Sequence, residues 1–162
     1  MTVELARSLL VDLTAEVPMK KILVGLDGSA RQPAVLASAV ELARQMKAEL
    51  VLFRAVSLPS ELPPEAYLMP PDEVTRILER RAQVALDEAA KNVPPDLTIS
   101  RATAIGTPWQ SICHMAKEHD VDVIVIGSHG YDTLDRLLGT TAAKVVNHAD
   151  RSVYVVRSRE QR

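Results

Sequence analysis

The sequence predicts an α/β chain, a doubly wound and mainly parallel five-stranded sheet with helices on both faces. Three observations carry this expectation. Short runs rich in Val, Ile and Leu alternate five times with stretches of other periodicity, the pattern of successive strand–helix units joined by right-handed crossovers. Several of those runs are apolar almost throughout, as strands covered on both faces are. Glycines follow three of them on the way to a helix, at Gly28, Gly106 and Gly127.

Composition bounds what such a chain does. A length of 162 residues suits one domain with a real core, and an apolar share of 47% with only 3% aromatic makes that core one of Val, Leu, Ile and Ala. The net charge of −2 and the lack of a long basic run argue against nucleic acid as a partner. Cys113 is the single cysteine, which excludes an intramolecular disulfide and a Cys-rich metal site. No apolar run approaches the ~20 residues of a membrane span. These features predict a soluble, cytoplasmic protein.

Residues 1–18 read as an N-terminal extension, residues 19–158 as the domain and residues 159–162 as a polar tail. In the extension, Ala6, Leu9, Leu10, Leu13 and Val17 recur at helical spacing, interrupted by Glu4, Asp12 and Glu16. It either lies on the domain, is partly disordered, or offers a partner-binding helix. The first strand is residues 22–26. Asp27-Gly28-Ser29 makes the turn after it, Ser29 or Gln32 caps the next helix, and Pro33 takes its first turn. Val35, Leu36, Ala39, Val40, Ala43 and Met46 form that helix's apolar face. The second strand, residues 50–56, contains Arg54, a cation expected to reach solvent or an acid. Residues 57–71 hold five prolines and are expected to be neither helix nor sheet interior, with Tyr67, Leu68 and Met69 tucking the loop down.

Residues 72–93 are the clearest helix, with Val74, Ile77, Leu78, Ala85 and Ala89 expected inside and Pro94-Pro95 ending it. Residues 97–105 alternate in a way that suggests an edge strand. Gly106 closes it, Thr107 caps, and Pro108 opens a helix that buries Ile112, Cys113 and Ala116. His114 and His119 lack partners at metal spacing. The fourth strand, residues 121–126, is broken only by Asp122 and stops at Gly127. Gly130 and Gly139 follow, then Thr140, Thr141 and a helix over residues 142–148 with Val145, Val146 and Ala149 as its apolar face. Residues 152–156 are the fifth strand. A β-branched run ending in a glycine turn that feeds a helix is either a tight turn or a cradle of backbone N–H groups for a phosphate.

These motifs resemble a known family. Gly127-Ser128-His129-Gly130, then Gly139-Thr140, is similar to the G-x-x-G-(nine residues)-G-[S/T] nucleotide loop of the universal stress protein family, with eight residues here, 131–138, in place of nine. KKILVGLDGS at residues 20–29 resembles that family's first strand, and Ile105-Gly106-Thr107-Pro108 its turn after the third. The likeness covers residues 19–157. It implies the strand order 3-2-1-4-5 and a ligand beyond the carboxyl ends of strands one and four. It implies ATP as that ligand, with Gly25, Leu26, Asp27 and Ala55 at the adenosine end. Gly127, Ser128, His129, Gly130, Gly139, Thr140 and Thr141 then hold the phosphates. Mg²⁺ is expected with ATP, because Arg136 and Lys144 are the only nearby cations along the loop. A homodimer through the last strand and a protein partner are further implications. Asp27 keeps two readings, a turn residue bonding its own backbone or a carboxylate on adenosine or metal.

Three functional classes follow, in order of preference. The first is an ATP-binding regulatory module of the stress response, the second a nucleotide-independent dimer acting through protein partners. The third is an ATP-using enzyme, at most a slow ATPase. The chain has no Gly-x-x-x-x-Gly-Lys-[Ser/Thr] loop and no Ser-Gly-Gly-x-Asp-Ser loop. His129 is either an ordinary loop residue or one that places a water on the γ-phosphate.

Overall fold

The computed structural model describes residues 19–58, 64–128 and 138–157. The expectations placed on residues 1–18, on the prolines before Pro64, on His129, Gly130 and Arg136, and on the tail lie outside those residues. In chain order the elements are β1 (Lys21–Gly25), α1 (Gln32–Met46), β2 (Glu49–Val56), a 3₁₀ turn (Pro64–Leu68) and α2 (Pro71–Ala90). Then come β3 (Ile99–Ile105), α3 (Pro108–Glu118), β4 (Val123–Gly127), α4 (Thr140–His148) and β5 (Ser152–Val156). All pairings are parallel and the order is β3-β2-β1-β4-β5. The doubly wound sheet is therefore present, and β3 sits at the edge its alternation predicts.

The side-chain period of two sorts each strand between two cores. Ile22 and Val24 of β1, Leu50 and Leu52 of β2, and Val123 and Val125 of β4 pack with α1 and α2 on one face. Leu23, Val51, Phe53, Ile124 and Ile126 pack with α3 and α4 on the other. Burying each such side chain fully contributes about 1.5–3 kcal/mol. Because β1 lies between β2 and β4, Ile22, Leu23 and Val24 are wholly inaccessible. Prolines stand in the first turns of α1, α2 and α3, where a missing N–H costs nothing.

Asp122, the one polar break in the fourth apolar run, has a structural cause. Its Oδ2 accepts from the backbone N–H groups of Lys20 and Lys21 at 2.7 and 3.0 Å, while its own N–H donates to the Lys21 carbonyl at 2.9 Å. The carboxylate thus locks the entrance of β4 to that of β1.

Several local expectations need correction. α2 buries Val74, Ala82, Leu86, Ala89 and Ala90, whereas Ile77 is exposed, because its inward stripe drifts along the 3.6-residue period. That helix ends at Ala90, short of Pro94. On α4, Ala142 and Val145 are inside and Val146 is exposed. Neither Ser29 nor Gln32 is the N-cap of α1; Arg31 holds that position without a side-chain cap, and Thr107 occupies the cap of α3 without using its hydroxyl there. The proline-rich loop contains a 3₁₀ turn, and Tyr67 and Leu68 are 70% and 89% exposed rather than tucked down. A 3₁₀ turn needs so few internal hydrogen bonds that proline at its start is harmless. Among the described residues no helix is long and apolar enough to cross a membrane.

Candidate functional site

Strand order reverses between β1 and β4, and the crossovers leaving them run to opposite faces, so a crevice opens beyond their carboxyl ends. It has a volume of about 730 Å³. Its floor is made by Gly25 and Leu26 from β1 and the segment after it, and by Ile126 and Gly127 from β4. The two floor glycines keep it open. A Cβ at Gly25 would come within 3.1 Å of Ile126 Cγ2, and one at Gly127 within 3.2 Å of Val35 Cγ2.

One wall is apolar, built from Phe53 and Ala55 of β2 and from Pro108 and Ile112 of α3. Gly139, Thr140, Thr141 and Ala142 form the start of α4 and complete the opposite end. α4 is oriented by its predecessors: the Gly139 N–H donates to the Ser128 carbonyl at 2.7 Å, and the Ser128 N–H to the Val156 carbonyl at 2.9 Å. Ser128 is buried by this arrangement and positions the helix rather than lining the crevice. The first intrahelical donor of α4 is Ala143, bonded to the Gly139 carbonyl at 2.8 Å. Helix geometry gives the N–H groups of Thr140, Thr141 and Ala142 no intrahelical acceptor, so they are available to an anion.

The N-termini of α1, α3 and α4 all border this space, through Arg31, Pro108 and Thr140. Each carries partial positive charge. Among the described residues Asp27, Arg31 and Arg54 are the charged side chains in the lining. Asp27 does what its turn reading requires, since its Oδ1 accepts from the Ser29 N–H at 2.9 Å. Its Oδ2 has no partner among the described residues, so the same carboxylate keeps an acceptor for a ligand hydroxyl. The turn is tied further by the Gly28 N–H, which donates to Gln32 Oε1 at 2.8 Å.

The crevice thus brings together Gly25, Leu26, Asp27, Ala55, Gly127, Gly139, Thr140 and Thr141 of the expected residues. His129 and Gly130 lie outside the described residues. Lys144 does not join them: its Nζ lies over the Trp109 ring, 5.9 Å from the centroid, and Trp109 meets His148 edge to face at 4.7 Å. Sequence reasoning missed Arg31 as a lining residue and assigned Arg54 to solvent or an acid. The signal was a cation at the end of a buried strand, two residues beyond a fully buried Leu52. Among the described residues no cluster of three His, Cys, Asp or Glu side chains is placed to hold a metal. Cys113 is a half-buried thiol whose pKa burial pushes up, an inert packing residue of α3.

Comparison with known proteins agrees with this architecture. The sequence matches the model of the universal stress protein family over residues 18–157. It is 31% identical over 148 residues to universal stress protein YxiE of Bacillus subtilis, covering 85% of this chain and 98% of the relative. The fold superposes on universal stress protein UspA from Lactobacillus plantarum with a TM-score of 0.67 at 27% identity, covering 86% and 98% of the two chains. A universal stress protein from Archaeoglobus fulgidus in complex with dAMP (TM-score 0.58, 20% identity, 86% and 99% covered) shares the fold. So does a universal stress protein in complex with cAMP (0.59, 23%, 86% and 98%).

Proposed function

Because the chain belongs to the universal stress protein family, we propose that it is an ATP-binding regulatory module, cytoplasmic and acting through a protein partner. The observation that carries this reading is the crevice at the strand reversal. Its apolar wall of Ala55, Pro108 and Ile112 suits a base, Asp27 suits ribose hydroxyls, and the start of α4 suits phosphates. Two structural relatives in complex with adenine nucleotides support the ligand class. In this proposal Gly25, Leu26, Asp27 and Ala55 contact adenosine. Gly127, His129, Gly130, Gly139, Thr140 and Thr141 contact the phosphates, with Ser128 holding α4 in place.

Mg²⁺ accompanies ATP on this reading. Asp27 is the only carboxylate in the described lining, so the phosphate oxygens and water supply most of the metal's ligands. Asp27 is committed to its turn through Oδ1, His129 is the other candidate base on this reading, and hydrolysis is expected far below the typical enzyme turnover of about 10 s⁻¹. The decisive experiment is the nucleotide content of protein purified without added ATP, followed by calorimetric titration of emptied protein with Mg-ATP. Co-purified adenine nucleotide, or a micromolar Kd, supports the proposal. Failure of both leaves the nucleotide-independent dimer.

A second element of the proposal is a homodimer through β5. β5 is an edge strand, and half-buried Val153, Val155 and Val156 with exposed Tyr154 give it an apolar character that an unpaired edge rarely keeps. Sedimentation equilibrium at micromolar concentration tests it, and a monomer at all concentrations refutes it.

A further inference from the structure

Arg54 is a feature of the crevice that the nucleotide reading leaves unused. It lies on β2 next to Ala55, and the period of two sends them to opposite faces: Ala55 packs toward α3 and α4, and Arg54 rises on the α1 side. Its guanidinium crosses the turn after β1, with Nη2 and Nη1 only 2.8 and 2.9 Å from where a Cβ on Gly28 would stand. The cation is thereby seated beside Asp27 and over the crevice. The side chain is half-buried, and among the described residues no carboxylate lies within ion-pair distance of it. Three other arginines are neutralised by carboxylates: Arg44 pairs with Asp96 at 2.8 Å, Arg76 with Asp72 at 2.6 Å and Arg101 with Asp87 at 2.9 Å. A guanidinium partly withdrawn from water and without an ion-pair partner among the described residues is a preorganised fork for an anion.

Position decides which anion. Phosphates on the 5′ side are drawn to the start of α4, which follows β4. Arg54 lies two residues before the end of β2, and β1 lies between, so it and the start of α4 stand about two strand spacings, roughly 9–10 Å, apart. A ribose held at Asp27 sits between them. In doubly wound nucleotide sites an acidic residue after the second strand takes the ribose hydroxyls, and an arginine nearby accommodates a phosphate on the ribose. Here the residue near the end of the second strand is the arginine.

We propose that Arg54 makes the crevice selective for adenine nucleotides bearing a phosphate on the ribose 2′ or 3′ oxygen in addition to the 5′ phosphate. This rests on the nucleotide reading above. The test is calorimetric titration of the full chain at 0.15 M salt with AMP, adenosine 2′,5′-bisphosphate and adenosine 3′,5′-bisphosphate. Wild type is expected to bind at least one bisphosphate about tenfold or more tighter than AMP, the return from a charge-assisted bidentate contact. Arg54→Gln should bring that ratio to near one. Arg54→Lys, which keeps the charge and loses the fork, should give an intermediate ratio and carries the test should the glutamine variant fold poorly. A wild-type ratio near one overturns the inference, as does a ratio unchanged by Arg54→Gln, which would mean that the guanidinium serves the 5′ phosphates or the turn alone. If AMP and the bisphosphates bind without discrimination, only this inference falls; if no adenine nucleotide binds, the functional proposal falls with it.

Discussion

Replacing Gly28 with alanine separates backbone conformation from side-chain contact at the edge of the crevice. Gly28 has φ +78°, a left-handed conformation, and a Cβ there would meet the Arg54 guanidinium at 2.8–2.9 Å. The backbone term for an L-residue in that region is about 1–2 kcal/mol. Alanine also stiffens the unfolded chain, which offsets about 0.4–1 kcal/mol. The contact term is smaller, because the group met is the mobile end of a long side chain that can swing toward solvent. Gly28→Ala should therefore lose about 1 kcal/mol, a fall in Tm of about 2–4 °C for a chain of this size. Gly28→Asn should lose less, since asparagine tolerates the left-handed region. Urea unfolding of Gly28→Ala, Arg54→Ala and the double variant measures the coupling, expected below about 0.5 kcal/mol. Displacement of the guanidinium should appear in binding instead, as a weaker preference for the ribose-phosphorylated nucleotide. A higher Tm for Gly28→Ala would refute the left-handed turn, and a coupling above about 1 kcal/mol would refute the ranking of backbone over contact.

Other consequences can be measured in the same assays. Mg-ATP at a hundredfold excess over its Kd should stabilise the fold by about 2.7 kcal/mol, raising Tm by about 5–10 °C; no shift at millimolar Mg-ATP would favour the nucleotide-independent reading. Asp122→Ala removes the acceptor for the Lys20 and Lys21 amides and should cost about 1–3 kcal/mol in denaturant unfolding, while Asp122→Asn, which keeps one acceptor oxygen, should cost less. Burial raises the Cys113 pKa, so less thiolate is present near pH 8 and alkylation by iodoacetamide should be slower in native than in urea-unfolded protein; equal rates would refute the burial argument.

Much of the fold was legible because it is written in local periodicity. The apolar runs near Ile22, Leu50, Val123 and Val153 could only be strands covered by other elements, and the glycine turns after β1, β3 and β4 fell where strand gives way to helix. The family resemblance placed Gly25, Asp27, Ala55, Gly127 and Gly139 at one site, and the structure puts all five around one crevice. Where periodicity was blurred the reading slipped. Ile77 and Val146 are apolar at helical spacing yet exposed, because a helix's inward stripe is set by the sheet beneath it and not by its own composition.

Sequence alone thus determined the elements, their alternation and the layered class, since each depends on which residues a few positions apart share a face. Residues without the resemblance left the strand order open, and only the tertiary structure decided which cations meet the crevice. Lys144 belongs to the indole of Trp109, Arg54 to the turn at Gly28, and Asp122 to the amides of Lys20 and Lys21. Those partners are as many as 102 residues apart in the chain, and contacts at that separation follow from how crossovers bring parallel strands side by side, which no local period encodes.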